Sequence, residues 1–218
     1  MDEIIEVTKK IGLFLAEAIL VIYFCKQYVD KALGHINIGA GVKKQNKIDL
    51  DIIKKMDYYK EILNADRIIL FEFHNGQHYS NYRNALRLSA SYEVYKAGLE
   101  STIEKCSGIP IGVIPRFISA ITNEGIAKCA DTDDKNNDVT SVYEFKKSLN
   151  IGAFYDMAIH DRKGNIIGFV AVQWSEAMKD GFDTDSIEKL TWYLEECVNR
   201  LTEQDKKARK KRLFSKKK

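Results

Sequence analysis

Two apolar segments near the C-terminal end of the chain are spaced as the arms of a β-hairpin. Residues 150–161 and 165–174 are both rich in β-branched and aromatic residues, which suit a pleated strand. The run between them, Asp161–Asn165, contains Gly164 and polar residues typical of a tight turn. The spacing therefore predicts an antiparallel sheet.

The elements around this hairpin extend the pattern. A short helix is predicted at about 142–149, and Phe182–Asp185 opens a long helix over about 183–203. The inward stripe of that long helix is formed by Leu190, Tyr193, Leu194, Cys197, Val198 and Leu201.

This order of elements resembles the C-terminal half of a GAF domain, a sensor fold with a small-molecule pocket. The resemblance extends over residues 48–204. It implies an α+β fold with a central antiparallel sheet of five or six strands. It also implies that helices at 48–63 and 183–203 cover one face of the sheet and that region 100–149 covers the other.

Within this range, Phe71–Gly76 followed by a polar strand and Tyr92-Glu93 is similar to a pattern in small proteins of bacteria and phages that carry an N-terminal hydrophobic helix. The sequence lacks the Asn-Lys-Phe-Asp-Glu signature of cyclic-nucleotide binding. None of its four cysteines lies in a chromophore-attachment context. The resemblance thus implies a ligand but leaves the ligand or cofactor unknown.

The 218 residues, 45% of them hydrophobic, suffice for one full domain with appendages. We predict an N-terminal hydrophobic helix at 1–33, a glycine-containing linker at 34–47, the GAF-like domain at 48–204 and a basic tail at 205–218. The cysteines are widely spaced, which indicates a reducing compartment.

Two interpretations account for the apolar run in the N-terminal helix. Residues 11–25 carry Glu17 as their only charge and would be about 22 Å long as a helix, against about 30 Å of bilayer hydrocarbon. Residues 11–29 would then be a membrane anchor, with the lysine-rich segment after them keeping the domain on the cytoplasmic side.

In the other interpretation the same helix has an apolar seam with spacings of three and four, and it self-associates. The seam consists of Ile4, Val7, Ile11, Phe14, Ala18, Val21, Cys25 and Tyr28. With either location of the helix, we expect a homodimer.

The tail concentrates the positive charge of the chain. From Lys206 to Lys218 there are nine lysines and arginines and no acid, although the net charge of the whole chain is only +3. Such a run is attracted to phosphate, on an anionic lipid surface or on nucleic acid.

A strand at about 85–95 suggests the binding site. Apolar residues alternate strictly there with Arg87, Ser89, Ser91 and Glu93. The helix predicted at Ile114–Thr122 would roof the polar face. We expect a small polar ligand to lie among eight residues: His74, Asn75, Arg87, Ser89, Ser91, Glu93, Phe117 and Asp156.

No catalytic signature accompanies this site. The sequence has no G-x-S-x-G elbow, P-loop, H-E-x-x-H or G-x-G-x-x-G motif. His74 and His78 flank Asn75-Gly76, which signals a turn rather than a helix, so no metal site is predicted. We interpret the chain as a non-catalytic module that senses or sequesters a small molecule. The alternative is a structural component of a virion or membrane complex that uses the fold as a scaffold.

Overall fold

The computed structural model describes residues 2–78, 84–134 and 140–215 of the chain. Its helices are α1 (Asp2–Ile62), a 3₁₀ turn (Ile111–Val113), α2 (Pro115–Asn123), α3 (Thr140–Ser148) and α4 (Thr184–Ser215). Its strands are β1 (Arg67–His78), β2 (Asn84–Tyr95), β3 (Ile109–Pro110), β4 (Ile126–Cys129), β5 (Ala153–His160) and β6 (Ile166–Trp174).

The chain divides into two compact units, Met1–Lys47 and Ile48–Lys218. The segment predicted as a linker at 34–47 is helical, because α1 is continuous from Asp2 to Ile62. Each of the three glycines in 34–47 costs a helix about 1 kcal/mol relative to alanine. That segment contains no proline, so no residue in it forbids the helix.

In the first unit, the large apolar side chains of Ile19–Phe24 are all more than half exposed. The seam positions Ile4, Val7, Ile11 and Phe14 lie outside the described side chains. None of the helices has, within its described residues, the length and apolarity that crossing a bilayer requires.

The second unit contains a six-stranded antiparallel sheet in the order β3-β2-β1-β6-β5-β4. The predicted hairpin is β5–β6. Its turn is closed by the carboxylate of Asp161, which accepts hydrogen bonds from the backbone N–H groups of Lys163 and Asn165. Gly164 takes the left-handed backbone conformation (φ +81°) that a β-branched residue would resist.

Each face of the sheet is covered by a separate hydrophobic core, as expected. On the first, the α1–α4 face, sheet residues such as Ile68 and Val170 pack with Ile52 of α1 and Leu190 of α4. The inward stripe predicted for α4 packs here, and Asp183 caps the helix by accepting a hydrogen bond from the N–H of Ser186. The central antiparallel sheet and its helical cover are therefore confirmed.

The opposite face, the α2–α3 face, packs beneath the predicted roof. Phe117 and Ile121 of α2 and Val142 of α3 are buried there against Phe169 and other sheet residues. Pro115 stands in the first turn of α2, where its missing N–H costs nothing.

The strict alternation predicted for β2 is wrong because a bulge interrupts the strand. Leu70 of β1 pairs with Tyr92, whereas the next residue, Phe71, pairs with Ala90, so Ser91 is an extra residue. Ala90 is consequently buried on the α2–α3 face, and Val94 on the α1–α4 face. The bulge exchanges the faces of every side chain that follows it.

The turn predicted at Asn75-Gly76 is also wrong. This pair lies inside β1, which continues to His78. The pairing of β1 with β2 is irregular between Asn75 and His78.

Candidate functional site

A cleft of about 390 Å³ opens between α2 and α3, over the edge of the sheet formed by β4 and β5. This volume lies within the range of small-molecule sites, about 300–1,000 Å³. Its walls are apolar and aromatic: Phe117, Ala120, Ile126, Ala127, Val142, Tyr143 and Phe154.

Charged residues surround the mouth of the cleft. Arg116 lies in the first turn of α2, Glu124 directly follows that helix, Lys128 belongs to β4, and all three side chains are exposed. The site therefore has an apolar interior and a rim of mixed charge, which suits a ligand with an apolar body and a polar group.

A buried ion pair lies behind the aromatic lining. Nζ of Lys146, on α3, is 2.6 Å from Oδ2 of Asp156, on β5, and the two side chains are 8% and 0% exposed. Burial lowers the pKa of Lys146 and raises the pKa of Asp156, while the attraction between the two groups opposes both shifts. Breaking such a pair leaves an uncompensated buried charge.

The Lys146 ammonium also lies against two of the cleft's aromatic rings. Nζ is 3.5 Å from the ring centroid of Phe154 and 5.6 Å from that of Phe117. Both distances are within the range of cation–π attraction. The same two rings line the cleft, so the ion pair and the cleft share a wall.

One carboxylate oxygen of Asp156 has no hydrogen-bond donor within the described part of the chain. Among the residues that the structure describes, Oδ1 accepts no hydrogen bond although it is fully buried. A buried carboxylate oxygen without a donor is costly, and proteins keep few of them. Asp156 can therefore accept one more N–H or O–H donor.

Two further side chains lie at this end: Tyr143 lines the cleft, and Cys129 is buried in a cluster with Phe154 and is not part of the lining. Burial raises the pKa of the Tyr143 hydroxyl, and its hydrogen bond with Cys129 raises it further. Sγ of Cys129 donates to the backbone carbonyl of Asp131 at 3.1 Å. The Tyr143 hydroxyl therefore stays protonated near neutral pH and acts as a hydrogen-bonding group rather than as an activated nucleophile.

Three of the predicted site residues lie on the other side of the sheet. His74 pairs with Arg87 across β1 and β2, and Ser89 pairs with Glu72. Glu72 and His74 are two and four residues after Leu70, which is buried on the α1–α4 face, so these pairs lie on that same face. Ser89 Oγ is 2.8 Å from Nε2 of His74 and accepts a hydrogen bond from the N–H of Gly108 at 2.8 Å. The neighbouring Asn75 is exposed.

Arg87 is held by a backbone carbonyl. Its guanidinium donates to the carbonyl of Gly108 at 2.9 Å. Ser91, the bulged residue, donates to the carboxylate of Glu72.

Glu93 follows the bulge and lies on the α2–α3 face. Its carboxylate is 3.1 Å from Nε of Arg67 and accepts hydrogen bonds from the N–H and the hydroxyl of Thr102. Both ionic side chains are almost fully buried, 6% and 3% exposed. This cluster fastens the segment after β2 to the sheet, and its residues do not line the cleft.

Of the eight predicted residues, then, only Phe117 lines the cleft, and Asp156 lies directly behind it. Lys146, Tyr143 and Phe154 were not predicted. Lys146 shares a helical face with Val142 and Leu149, at spacings of four and three. A lysine on an apolar helical face, together with Asp156 in an apolar strand, is the signal that could have paired them.

Comparison with solved structures identifies the fold. The phycoerythrobilin-bound GAF domain of a cyanobacterial phytochrome superposes with a TM-score of 0.57 at 14% identity, over 78% of this chain and 94% of that one. The PixJ GAF domain of Thermosynechococcus elongatus gives 0.55 at 13% identity, over 78% and 94%. GAF3 of Slr1393 from Synechocystis sp. PCC6803 gives 0.55 at 8% identity, over 73% and 98%. The chain therefore has a GAF-like fold.

Sequence comparisons add no closer relative. No family model matches the chain. No curated protein matches it either.

Proposed function

We propose that residues 48–204 form a non-catalytic module that binds a small molecule in the cleft between α2 and α3, as a sensor or by sequestration. The observation that carries the proposal is an apolar-walled cleft of about 390 Å³, behind whose lining lies a buried carboxylate oxygen that no donor of the described residues reaches. A ligand would supply both the apolar body and the missing donor.

The fold supports the same function. Structural neighbours include GAF domains with bound phycoerythrobilin, phycocyanobilin and biliverdin. A scaffold without a ligand would gain stability by filling its surface clefts, whereas here, among the residues that the structure describes, a cleft of about 390 Å³ stays open between α2 and α3. The structural or assembly role is therefore the less favoured alternative.

Native mass spectrometry tests the proposal most directly. The full chain, purified from the organism that makes it, should carry a noncovalent mass. Ala120→Trp fills the cleft from α2 and should abolish that mass. Ser119→Trp adds the same bulk one position away, on the exposed side of α2, and should retain it. An empty wild-type protein that also binds no member of a metabolite library would contradict the proposal.

The contacts expected with a second copy, a membrane or an anionic partner are also proposals. We propose a homodimer formed through the seam of α1, and attraction of the basic tail to anionic lipid or nucleic acid. Attachment of residues 11–29 to a membrane, with the domain on the cytoplasmic side, is the alternative use of the same apolar helix. High-salt washing separates the two modes of attachment, because salt screens the charges of the tail but not apolar burial.

A further inference from the structure

The Lys146 ammonium occupies a box made of two aromatic rings and a carboxylate. Phe154 and Phe117 face the cation at 3.5 Å and 5.6 Å, and Asp156 accepts its hydrogen bond at 2.6 Å. Aromatic rings combined with a carboxylate are the groups by which proteins recognise organic ammonium ions. In this structure the ammonium in the box belongs to the protein itself.

The box and the cleft are neighbours with common walls. Phe117 and Phe154 each present a ring to Lys146, and both also line the cleft. A molecule in the cleft would thus contact the same two rings that contact the ammonium. Lys146 comes from α3, a helix of only nine residues.

The charge balance of the box selects among ligand classes. An anion could bind Lys146 only by competing with Asp156, and it would leave that carboxylate buried and unpaired, which is strongly destabilising. A neutral hydrocarbon would leave Oδ1 of Asp156 without a donor. An amine or amidine satisfies both oxygens, because it brings positive charge together with several N–H donors.

The charged rim does not reverse this preference. Arg116 and Lys128 are exposed, so water and salt screen their effect on a ligand, and the carboxylate of Glu124 at the same rim opposes them. Asp156 is fully buried, and its field on a neighbouring cation is screened much less.

We propose that the cleft takes an organic amine or amidine with an apolar body, whose cationic group enters the Phe117–Phe154–Asp156 box in place of the Lys146 ammonium. This inference rests on the proposed function of the cleft and names its ligand class. Displacement of Lys146 removes the tie between α3 and β5, so binding loosens the last turn of α3. Ligand occupancy is thereby converted into a movement of that helix.

Amine rescue of a truncated side chain tests the box. Lys146→Ala keeps Cβ and removes three methylenes and the ammonium, which propylammonium replaces. Millimolar propylammonium should raise the melting temperature of Lys146→Ala and leave that of Lys146→Ala/Asp156→Asn unchanged. Lys147→Ala, the exposed neighbour paired with Asp133 at the surface, is the matched control and should respond no more than wild type. An equal response of both Lys146 variants overturns the proposal.

The wild-type protein supplies a test that does not depend on the folding of a variant. Phenethylammonium should bind at least about tenfold more tightly than 2-phenylethanol or phenylacetate, which have a similar body but a neutral or an anionic group. Amide exchange in 146–149 should quicken when it binds. Tighter binding of phenylacetate, or binding of the amine with unchanged exchange in α3, overturns the proposal.

These results are distinguishable from failure of the proposed function. If native mass spectrometry finds an anionic or neutral ligand that Ala120→Trp excludes, the cleft binds a small molecule but the ligand class is wrong. If probes of all three charges fail to bind and no mass co-purifies, both proposals fail.

Discussion

Lys146 Nζ lies 2.6 Å from Oδ2 of Asp156, and this pair is the ionic contact that ties α3 to the sheet next to the cleft. Replacing Lys146 with methionine preserves most of its volume but leaves Asp156 buried without a counter-charge. We expect Lys146→Met to lower the free energy of unfolding by about 3–5 kcal/mol, measured by urea denaturation. The double variant Lys146→Met/Asp156→Leu should recover most of this loss, and a double variant as unstable as the single one would contradict the explanation.

The same variant should acquire a characteristic pH dependence. Burial already raises the pKa of Asp156, and removal of Lys146 removes the attraction that opposes this shift. The folded state then retains its proton to a higher pH than the unfolded state does. The variant's stability relative to wild type should therefore improve as the pH falls through the raised pKa of Asp156, and it should be poorest above it. A stability difference that is constant between pH 8 and pH 5 would show that Asp156 does not titrate in this range.

Asp66 should show the opposite pH dependence. Burial acts to raise its pKa, but Lys96 at 2.7 Å and the hydrogen bonds from the N–H and hydroxyl of Ser175 outweigh burial and lower it. The stabilisation is present above the unfolded pKa and is lost as the pH falls through the lower, folded one. Asp66→Asn should cost about 1–3 kcal/mol at pH 7, and this difference should shrink in acid. A cost that does not change with pH would assign the effect to packing instead.

The elements predicted correctly from the sequence are those that local chemistry determines. The β5–β6 hairpin has its turn chemistry at Asp161 and Gly164, and α4 has its cap at Asp183, all within a few residues of the elements that they start or join. The roof helix α2 shows its apolar underside, including Phe117, in its own periodicity. For such elements, short-range interactions and the tertiary structure favour the same conformation.

The candidate site was harder to predict because it depends on one inserted residue. Ser91 does not differ in type from its polar neighbours, yet as the bulge it moves Glu93 to the face opposite Ser89. A period-two pattern cannot reveal such a shift, because the cross-strand pairing with β1 decides where the extra residue lies. Four residues predicted to converge were therefore divided between the two faces of the sheet. The continuous α1 was missed for a related reason, since glycines disfavour a helix without excluding one.

Gly168 should be intolerant of any side chain. A Cβ at this position of β6 would overlap the backbone carbonyl of Phe71 in the adjacent strand β1. We expect Gly168→Ala to lower the free energy of unfolding by about 3 kcal/mol or more, because two paired backbones would have to separate. Gly112→Ala is the matched control, since no atom lies within 4 Å of its added Cβ. Equal stability of the two variants would contradict the close approach of β1 and β6.

The proposed dimer can be tested by two adjacent substitutions in α1. Val21 belongs to the predicted seam and Ile22 does not, although both are exposed, at 61% and 67%. A charge in the seam would have to be buried against the second copy, so Val21→Asp should weaken the dimer at least about tenfold in sedimentation equilibrium. Ile22→Asp should have little effect. Equal weakening by both substitutions would contradict a seam on one side of the helix. It would favour burial of the helix on all sides, as in a membrane.

Arg87 should prove structural, in contrast to its predicted role in ligand binding. Its guanidinium is held by the carbonyl of Gly108, which directly precedes β3. The β2–β3 pair lies at one end of the sheet, and the cleft lies over β4 and β5 at the other end. Removing the side chain takes away a charge-assisted hydrogen bond that is only partly buried, so Arg87→Ala should cost about 1–2 kcal/mol of stability. Binding in the cleft should be unchanged, because no atom of Arg87 lies in its lining. Ala120→Trp should give the reverse pattern, with binding lost and stability nearly retained. Loss of cleft binding in Arg87→Ala, at unchanged stability, would return the ligand to the site first predicted from the alternating strand.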